Sequence, residues 1–140
     1  MKLAVGDSIP EWEMASVSPE RMRTMAAILR DPNPLHWDRD AVDALPLGLG
    51  KRTINQGPLG LSYIINMLQA WGGPDCLRRI VMRFPQVVLD GERVVARGEI
   101  SVLPRRKVYG WRTAALAWST TTGAYCWKVL LPLYCLKTLY

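Results

Sequence analysis

Leu59-Gly60-Leu61-Ser62-Tyr63-Ile64-Ile65-Asn66-Met67-Leu68-Gln69-Ala70-Trp71 is apolar on nearly every side, with Ser62, Asn66 and Gln69 as its only polar breaks. A helix of that kind has almost no face to give to water and belongs in a core. It is too short for a membrane span, which takes at least ~18 apolar residues. Gly72-Gly73-Pro74 ends it, because glycine releases the backbone and proline cannot continue the helix. At its head, Asn55-Gln56-Gly57-Pro58 places a proline in the first turn, where a missing N–H costs nothing. The chain is therefore read as a fold built round one buried central helix.

Downstream the pattern changes to strands. Leu77 to Val88 is rich in β-branched and apolar residues. Glu92 to Leu103 alternates, with Val94, Ala96, Gly98 and Ile100 against Arg93, Val95, Arg97 and Glu99. Asp90-Gly91 between them predicts a hairpin. Tyr109 to Thr120 and Ala124 to Tyr134 are two further strands, joined by Thr121-Thr122-Gly123. Upstream, residues 1–17 are short and mixed, with Pro10 as a breaker. Ser18-Pro19-Glu20 starts a helix, with Ser18 as N-cap and Pro19 at the first helical position. Met22, Met25, Ala26 and Leu29 give that helix one apolar face, and Pro32 and Pro34 stop it near Arg30. Residues 39–45 suit a short helix. The expectation is α+β: residues 1–140 as a single domain, with an antiparallel meander wrapped around a long central helix.

Composition narrows the function classes. The formal net charge is +6, yet the basic residues are scattered apart from Arg78, Arg79 and Arg83 and a second cluster of Arg105, Arg106 and Lys107. Neither cluster carries a nucleic-acid motif or interleaved aromatics, so no nucleic-acid partner is expected. A basic rim that attracts an anionic substrate handle is the sharper alternative to a plain solvated surface. Cys76, Cys126 and Cys135 form no C-x-x-C pair and are odd in number, which argues against a disulfide framework or a zinc site. Free thiols, no signal peptide and no membrane span together suggest a cytoplasmic protein.

Chemistry points to Asp31-Pro32-Asn33-Pro34-Leu35-His36. The chain holds a single histidine, and it lies five residues after an aspartate on a loop stiffened by two prolines. General acid–base work uses a group that changes charge near neutral pH, and a carboxylate beside it can hold a water or set the tautomer. Asn33 can anchor the turn, or hold the carboxylate by hydrogen bonding. The plain alternative is a helix-stop loop with a partly exposed histidine. Gln56-Gly57 is the second candidate, since a helix N-terminus offers unpaired N–H groups to a developing oxyanion, and Pro58 leaves Gly57 as the donor. Ser62 lacks the second glycine of a nucleophile elbow and is expected to be packed in the helix, or to line a pocket. No P-loop or G-x-G-x-x-G is present, and one histidine argues against a His-based metal site.

Asp31-Pro32-Asn33-Pro34-Leu35-His36-Trp37-Asp38 resembles the G-D-x-N-P-[IL]-H-x-D motif of MaoC-like hydratases, the R-specific enoyl-CoA hydratase group. Ile54-Asn55-Gln56-Gly57-Pro58-Leu59 is similar to the later I-x-H-G-M-L segment of that family. Val5-Gly6-Asp7, Trp71-Gly72 and Arg79 to Phe84 before Asp90-Gly91-Glu92 fit the same layout, so the resemblance covers roughly residues 3–100. It implies a hot-dog fold and substrates that are enoyl or 3-hydroxyacyl thioesters of coenzyme A or acyl carrier protein. No metal or redox cofactor is implied.

Carried over residue by residue, Asp31 would hold and deprotonate water for attack at C3. His36 would help position that water and handle the proton at C2. The Gly57 N–H would bind the thioester carbonyl, and Asn33 would support the loop. The pocket and rim would draw on Gln56, Ser62, Arg78, Arg79, Arg105 and Arg106. Such domains pair edge to edge, so a homodimer or higher oligomer is expected. Three departures stand out. Arg30 replaces a glycine, Gln56 replaces a histidine, and Pro58 replaces a methionine-like residue. They suggest a specialised substrate. The competing readings are a hot-dog thioesterase and a subunit that depends on a partner chain.

Overall fold

In the computed structural model the apolar stretch is a helix over Gly57–Gly72, closed by Gly73. The structure describes residues 4–77, 79–82, 84, 86–102, 111–120 and 124–132, with the backbone alone for 79, 81, 101, 102 and the last two stretches. In chain order the elements are β1 (Ser8–Met14), α1 (Pro19–Leu29), a 3₁₀ turn (Pro34–His36), α2 (Arg39–Asp43), α3 (Gly57–Gly72), β2 (Arg79–Val81), β3 (Val94–Val102), β4 (Trp111–Thr120) and β5 (Ala124–Pro132).

The five strands form one antiparallel sheet in the order β1-β3-β4-β5-β2. Helix α3 lies on that sheet. Its buried residues are Leu59, Gly60, Tyr63, Ile64, Met67, Leu68, Trp71 and Gly72, a spacing that gathers them on one face. Tyr63, Ile64, Met67 and Leu68 are no more than 1% exposed. Each side chain buried to that degree contributes about 1.5–3 kcal/mol. Trp12 of β1 stacks on Tyr63, with ring centroids 5.3 Å apart, and fixes the sheet edge to the helix. Burial also pushes the Tyr63 phenol above its usual pKa, so it stays neutral.

Three expectations are corrected here. The central helix is not covered all round. Pro58, Asn66, Gln69 and Ala70 are exposed, and Leu61 and Ile65 only half-buried, so its outer side is open in the single chain. Residues 8–14 are a strand despite Pro10. The register shifts between Ile9 and Trp12, and β1 lies at the sheet edge, where proline is tolerated. Asp90-Gly91 closes no hairpin. β2 is short and pairs with β5, whereas β3 pairs with β1 and β4, so only β3-β4-β5 is a meander.

Other local readings agree with the structure. Ser18 caps α1, its hydroxyl accepting from the Arg21 N–H, and Pro19 is the first helical residue. Met22 and Ala26 are buried, but Leu29 is exposed. Cys76 is buried and a thiol rather than a disulfide, and it donates to the Leu68 carbonyl. The side chain of Cys126, and Cys135 altogether, lie outside the described residues. No helix among the described residues is long and apolar enough to cross a membrane.

Candidate active site

The end of α1 aims the first candidate residue. Arg30 caps the helix in the left-handed conformation, at φ 52° and ψ 41°. Its N–H donates to the Ala27 carbonyl at 3.2 Å, and the Asp31 N–H reaches the Ala26 carbonyl at 2.9 Å. These bonds satisfy orphan carbonyls of the last turn and turn the chain sharply out of the helix. Pro32 then keeps Asp31 out of helical geometry.

Two short side-chain bonds build the loop that follows. Asp31 Oδ1 accepts from the Asn33 N–H at 3.0 Å, and Asn33 Oδ1 accepts from the Leu35 N–H at 3.1 Å. The second bond caps the 3₁₀ turn that carries His36. Asn33 is thus a loop builder, and its side-chain oxygen faces the backbone.

His36 Nδ1 lies 2.6 Å from the Ile54 carbonyl oxygen. A carbonyl only accepts, so the ring proton sits on Nδ1 and the Nε2 lone pair is left free in the neutral ring. Nε2 faces Asp31 Oδ2 at 3.5 Å. That is long for a direct hydrogen bond but suits two groups holding one small molecule between them. The His36 side chain is 14% exposed and that of Asp31 32%, so the histidine is the inner member and the carboxylate stands at the lip.

The strand-like segment that receives His36 leads straight into α3. The Ile54 N–H donates to the Leu35 carbonyl at 2.8 Å, and the Asn55 N–H to the Val88 carbonyl at 2.7 Å. Gln56 is the N-cap and offers no side-chain capping bond. Among the described residues, Gly57 N–H has no hydrogen-bond partner. The positive end of the α3 dipole therefore lies two residues beyond the carbonyl that holds His36.

The sequence model of the family described as "MaoC like domain" matches residues 4–108. The chain belongs to the MaoC-like family.

Solved structures support the same fold for this MaoC-like domain. An (R)-hydratase from A. caviae involved in PHA biosynthesis superposes with a TM-score of 0.80 at 22% identity, over 94% of this chain and 97% of that one. The R-hydratase PhaJ1 of Pseudomonas aeruginosa gives 0.79 at 19% identity, over 93% and 81%. A chain of the ChsH1–ChsH2 complex from Mycobacterium tuberculosis gives 0.77 at 21% identity, over 92% and 97%. No curated protein matches. The sheet-on-helix architecture is the hot-dog fold, as the sequence resemblance implies.

The structure sorts the remaining candidates. Gln56, in place of the family's histidine, is 1% exposed and turns inward, donating through Nε2 to the Met22 carbonyl at 2.8 Å. It ties α1 to the head of α3. Ser62 donates to the Leu59 carbonyl of its own helix at 2.6 Å. Arg79 lies in β2 with its side chain outside the described residues, and Arg78, Arg105 and Arg106 lie outside them altogether. Two participants were not foreseen. One is the Ile54 carbonyl, which as a backbone group has no sequence signature. The other is buried Asp90, which reads in sequence as a turn residue.

Arg30 explains why the family motif has glycine there. A residue with a Cβ in the left-handed region costs roughly 1–2 kcal/mol, which glycine avoids. Arg30→Gly is expected to raise stability by about 0.5–1 kcal/mol once the added freedom of the unfolded chain is counted. The gain is about 2–6 °C in a thermal melt. A lower melting temperature would show that the Arg30 side chain makes a contact worth more than the strain.

Gly57 is favoured for a different reason. A Cβ on it would lie 2.5–2.9 Å from the tip of the Phe84 ring, which rests on the helix head and is 51% exposed. Gly57→Ala is expected to push that ring aside at a cost of about 1 kcal/mol. In a Phe84→Ala background the same change should cost nothing, and equal costs in both backgrounds would argue against the contact.

Proposed function

We propose that the chain is a hydro-lyase that adds water to an enoyl thioester, or removes it from a 3-hydroxyacyl thioester, carried by coenzyme A or acyl carrier protein. The observation that carries this reading is the pair of Asp31 Oδ2 and His36 Nε2, 3.5 Å apart with Nδ1 committed elsewhere. Family membership and the hydratases among the structural neighbours support it.

In the hydration direction the two groups hold one water. Asp31 takes a proton from it as the oxygen bonds to C3. The C2–C3 π electrons move toward C2 and the thioester carbonyl, and the Gly57 N–H stabilises the oxygen as it gains charge. The proton taken by Asp31 passes across the 3.5 Å gap to the free Nε2 lone pair of His36, which delivers it to C2. One proton leaves the water and one reaches C2, so the site returns to its starting state and the chemistry calls for no metal or redox cofactor. Dehydration is the same path reversed.

The assembly proposed is a homodimer or higher oligomer. The open side of α3 and the exposed Ile28, Leu29, Trp37, Leu47 and Val87 leave apolar surface that a second chain would cover. Sedimentation should give at least twice the chain mass; a monomer fully active on its own would refute the assembly.

The test of function follows the enoyl absorbance of a panel of acyl thioesters from crotonyl upward. Loss of that band without release of free thiol supports the hydro-lyase. Release of thiol would instead indicate a thioesterase. No change on coenzyme A and carrier-bound substrates alike would overturn both.

A further inference from the structure

We propose that Asp90 is a positioning residue that sets the geometry and tautomer of His36 through the backbone of Thr53 and Ile54; this deepens the hydro-lyase reading and rests on it.

Asp90 is 4% exposed, unusual for a carboxylate in a turn. Its Oδ2 accepts from the Thr53 N–H at 3.1 Å and the Thr53 hydroxyl at 2.8 Å, and pairs with Arg39 Nη2 at 2.8 Å. Its own N–H donates to the Thr53 carbonyl at 2.9 Å. Both partners flank the dyad. Thr53 precedes Ile54, whose carbonyl holds His36. Arg39 follows His36 by three residues and also reaches the Lys51 carbonyl, at 3.0 Å. One buried carboxylate therefore grips the histidine's loop and the strand that receives its proton.

The peptide groups between them have no slack. Thr53 C=O and Ile54 N–H are bonded to Asp90 and Leu35, and Ile54 C=O and Asn55 N–H to His36 and Val88. The turn carrying Asp90 is itself rooted in the core. Gly91, at φ 78°, donates to the carbonyl of fully buried Val17, and the Val17 N–H returns a bond to Glu92. Arg52 and Glu92 form a further charged pair here, 3.8 Å apart. The Ile54 carbonyl is thereby held in the direction that captures Nδ1–H and leaves Nε2 facing Asp31. A histidine side chain free in water prefers the Nε2–H tautomer, so the Nδ1–H form that this carbonyl calls for is imposed by the surroundings.

Because His36 is the single histidine, its ring nitrogens can be read by NMR of 15N-histidine-labelled protein without assignment. Wild type should show the Nδ1–H tautomer in the neutral ring. Asp90→Ala should shift the population severalfold toward Nε2–H and lower kcat about 10- to 100-fold with KM little changed, the signature of a misplaced group rather than lost binding. Asp90→Asn keeps an acceptor for Thr53 and should restore much of both. Should Asp90→Ala not fold, Thr53→Val removes only the hydroxyl contact and should shift the tautomer the same way. Arg93→Ala, which breaks an exposed pair with Glu13, serves as control and should leave the tautomer unchanged. An unchanged tautomer in cooperatively melting Asp90→Ala, or in Thr53→Val where Asp90→Ala does not fold, or the same shift in the control, would overturn the proposal. A tautomer that follows Asp90 in a protein inert on every thioester would retain the positioning role and remove the hydro-lyase reading.

Discussion

Asp31→Asn is expected to lower kcat/KM on an accepted enoyl thioester by ~10²–10⁴ while the protein melts within a few degrees of wild type. The substitution is isosteric. The amide oxygen can still accept from the Asn33 N–H, so the loop keeps its 3.0 Å anchor. What changes is the atom facing His36. An amide NH₂ there would donate to the Nε2 lone pair across the 3.5 Å gap and close the space proposed to hold the water. It would also remove the carboxylate proposed to take the water's proton. The loss corresponds to about 2.7–5.5 kcal/mol of transition-state stabilisation. Stability is spared because Asp31 is partly exposed and its charge meets solvent at the lip. Progress curves with purified variant and wild type check the rate, and thermal melts check the fold. A variant within about threefold of wild type would leave Asp31 as a helix-stop residue and nothing more.

The parts of this site that sequence discloses are those whose side chains act locally. Pro32 and Pro34 stop α1 and stiffen the loop, and Asp31, Asn33 and His36 lie within one turn of one another, so spacing alone brings them together. Helix α3 is equally legible, since its apolar run is long and bounded by Pro58 and Gly73-Pro74. What sequence conceals is non-local. β1 takes its register from β3, eighty or more residues on, and its Pro10 reads as a break because edge position is a property of the sheet. β2 joins β5 across the meander, which no alternation pattern shows. The Ile54 carbonyl and the Asp90 grip on Thr53 are likewise contacts between distant segments. Gln56 illustrates the converse. Its place in a motif suggests the pocket, whereas its side chain is spent on the Met22 carbonyl in the core.

His36→Gln is expected to fall as far as Asp31→Asn, by ~10²–10⁴, and the double variant is expected to fall little further. In the proposed mechanism the two groups share one water. Nε2 and Oδ2 face each other across 3.5 Å, and neither can direct a proton when the other no longer holds the oxygen in place. Independent contributions would multiply to ~10⁴–10⁸, whereas residues that act as a unit are grossly non-additive. The residual rate would come from substrate binding and the Gly57 donor, worth about 10²–10³ on its own. Stability separates the two single variants. Loss of the imidazole weakens the 2.6 Å bond to the Ile54 carbonyl, which costs about 1 kcal/mol for a half-buried acceptor. His36→Gln should therefore melt about 3–6 °C below Asp31→Asn. A double variant whose loss equals the product of the singles would mean that each residue handles its proton alone, with separate waters or separate steps. Rates that coincide within about an order of magnitude for all three variants would tie both residues to a single proton-transfer unit.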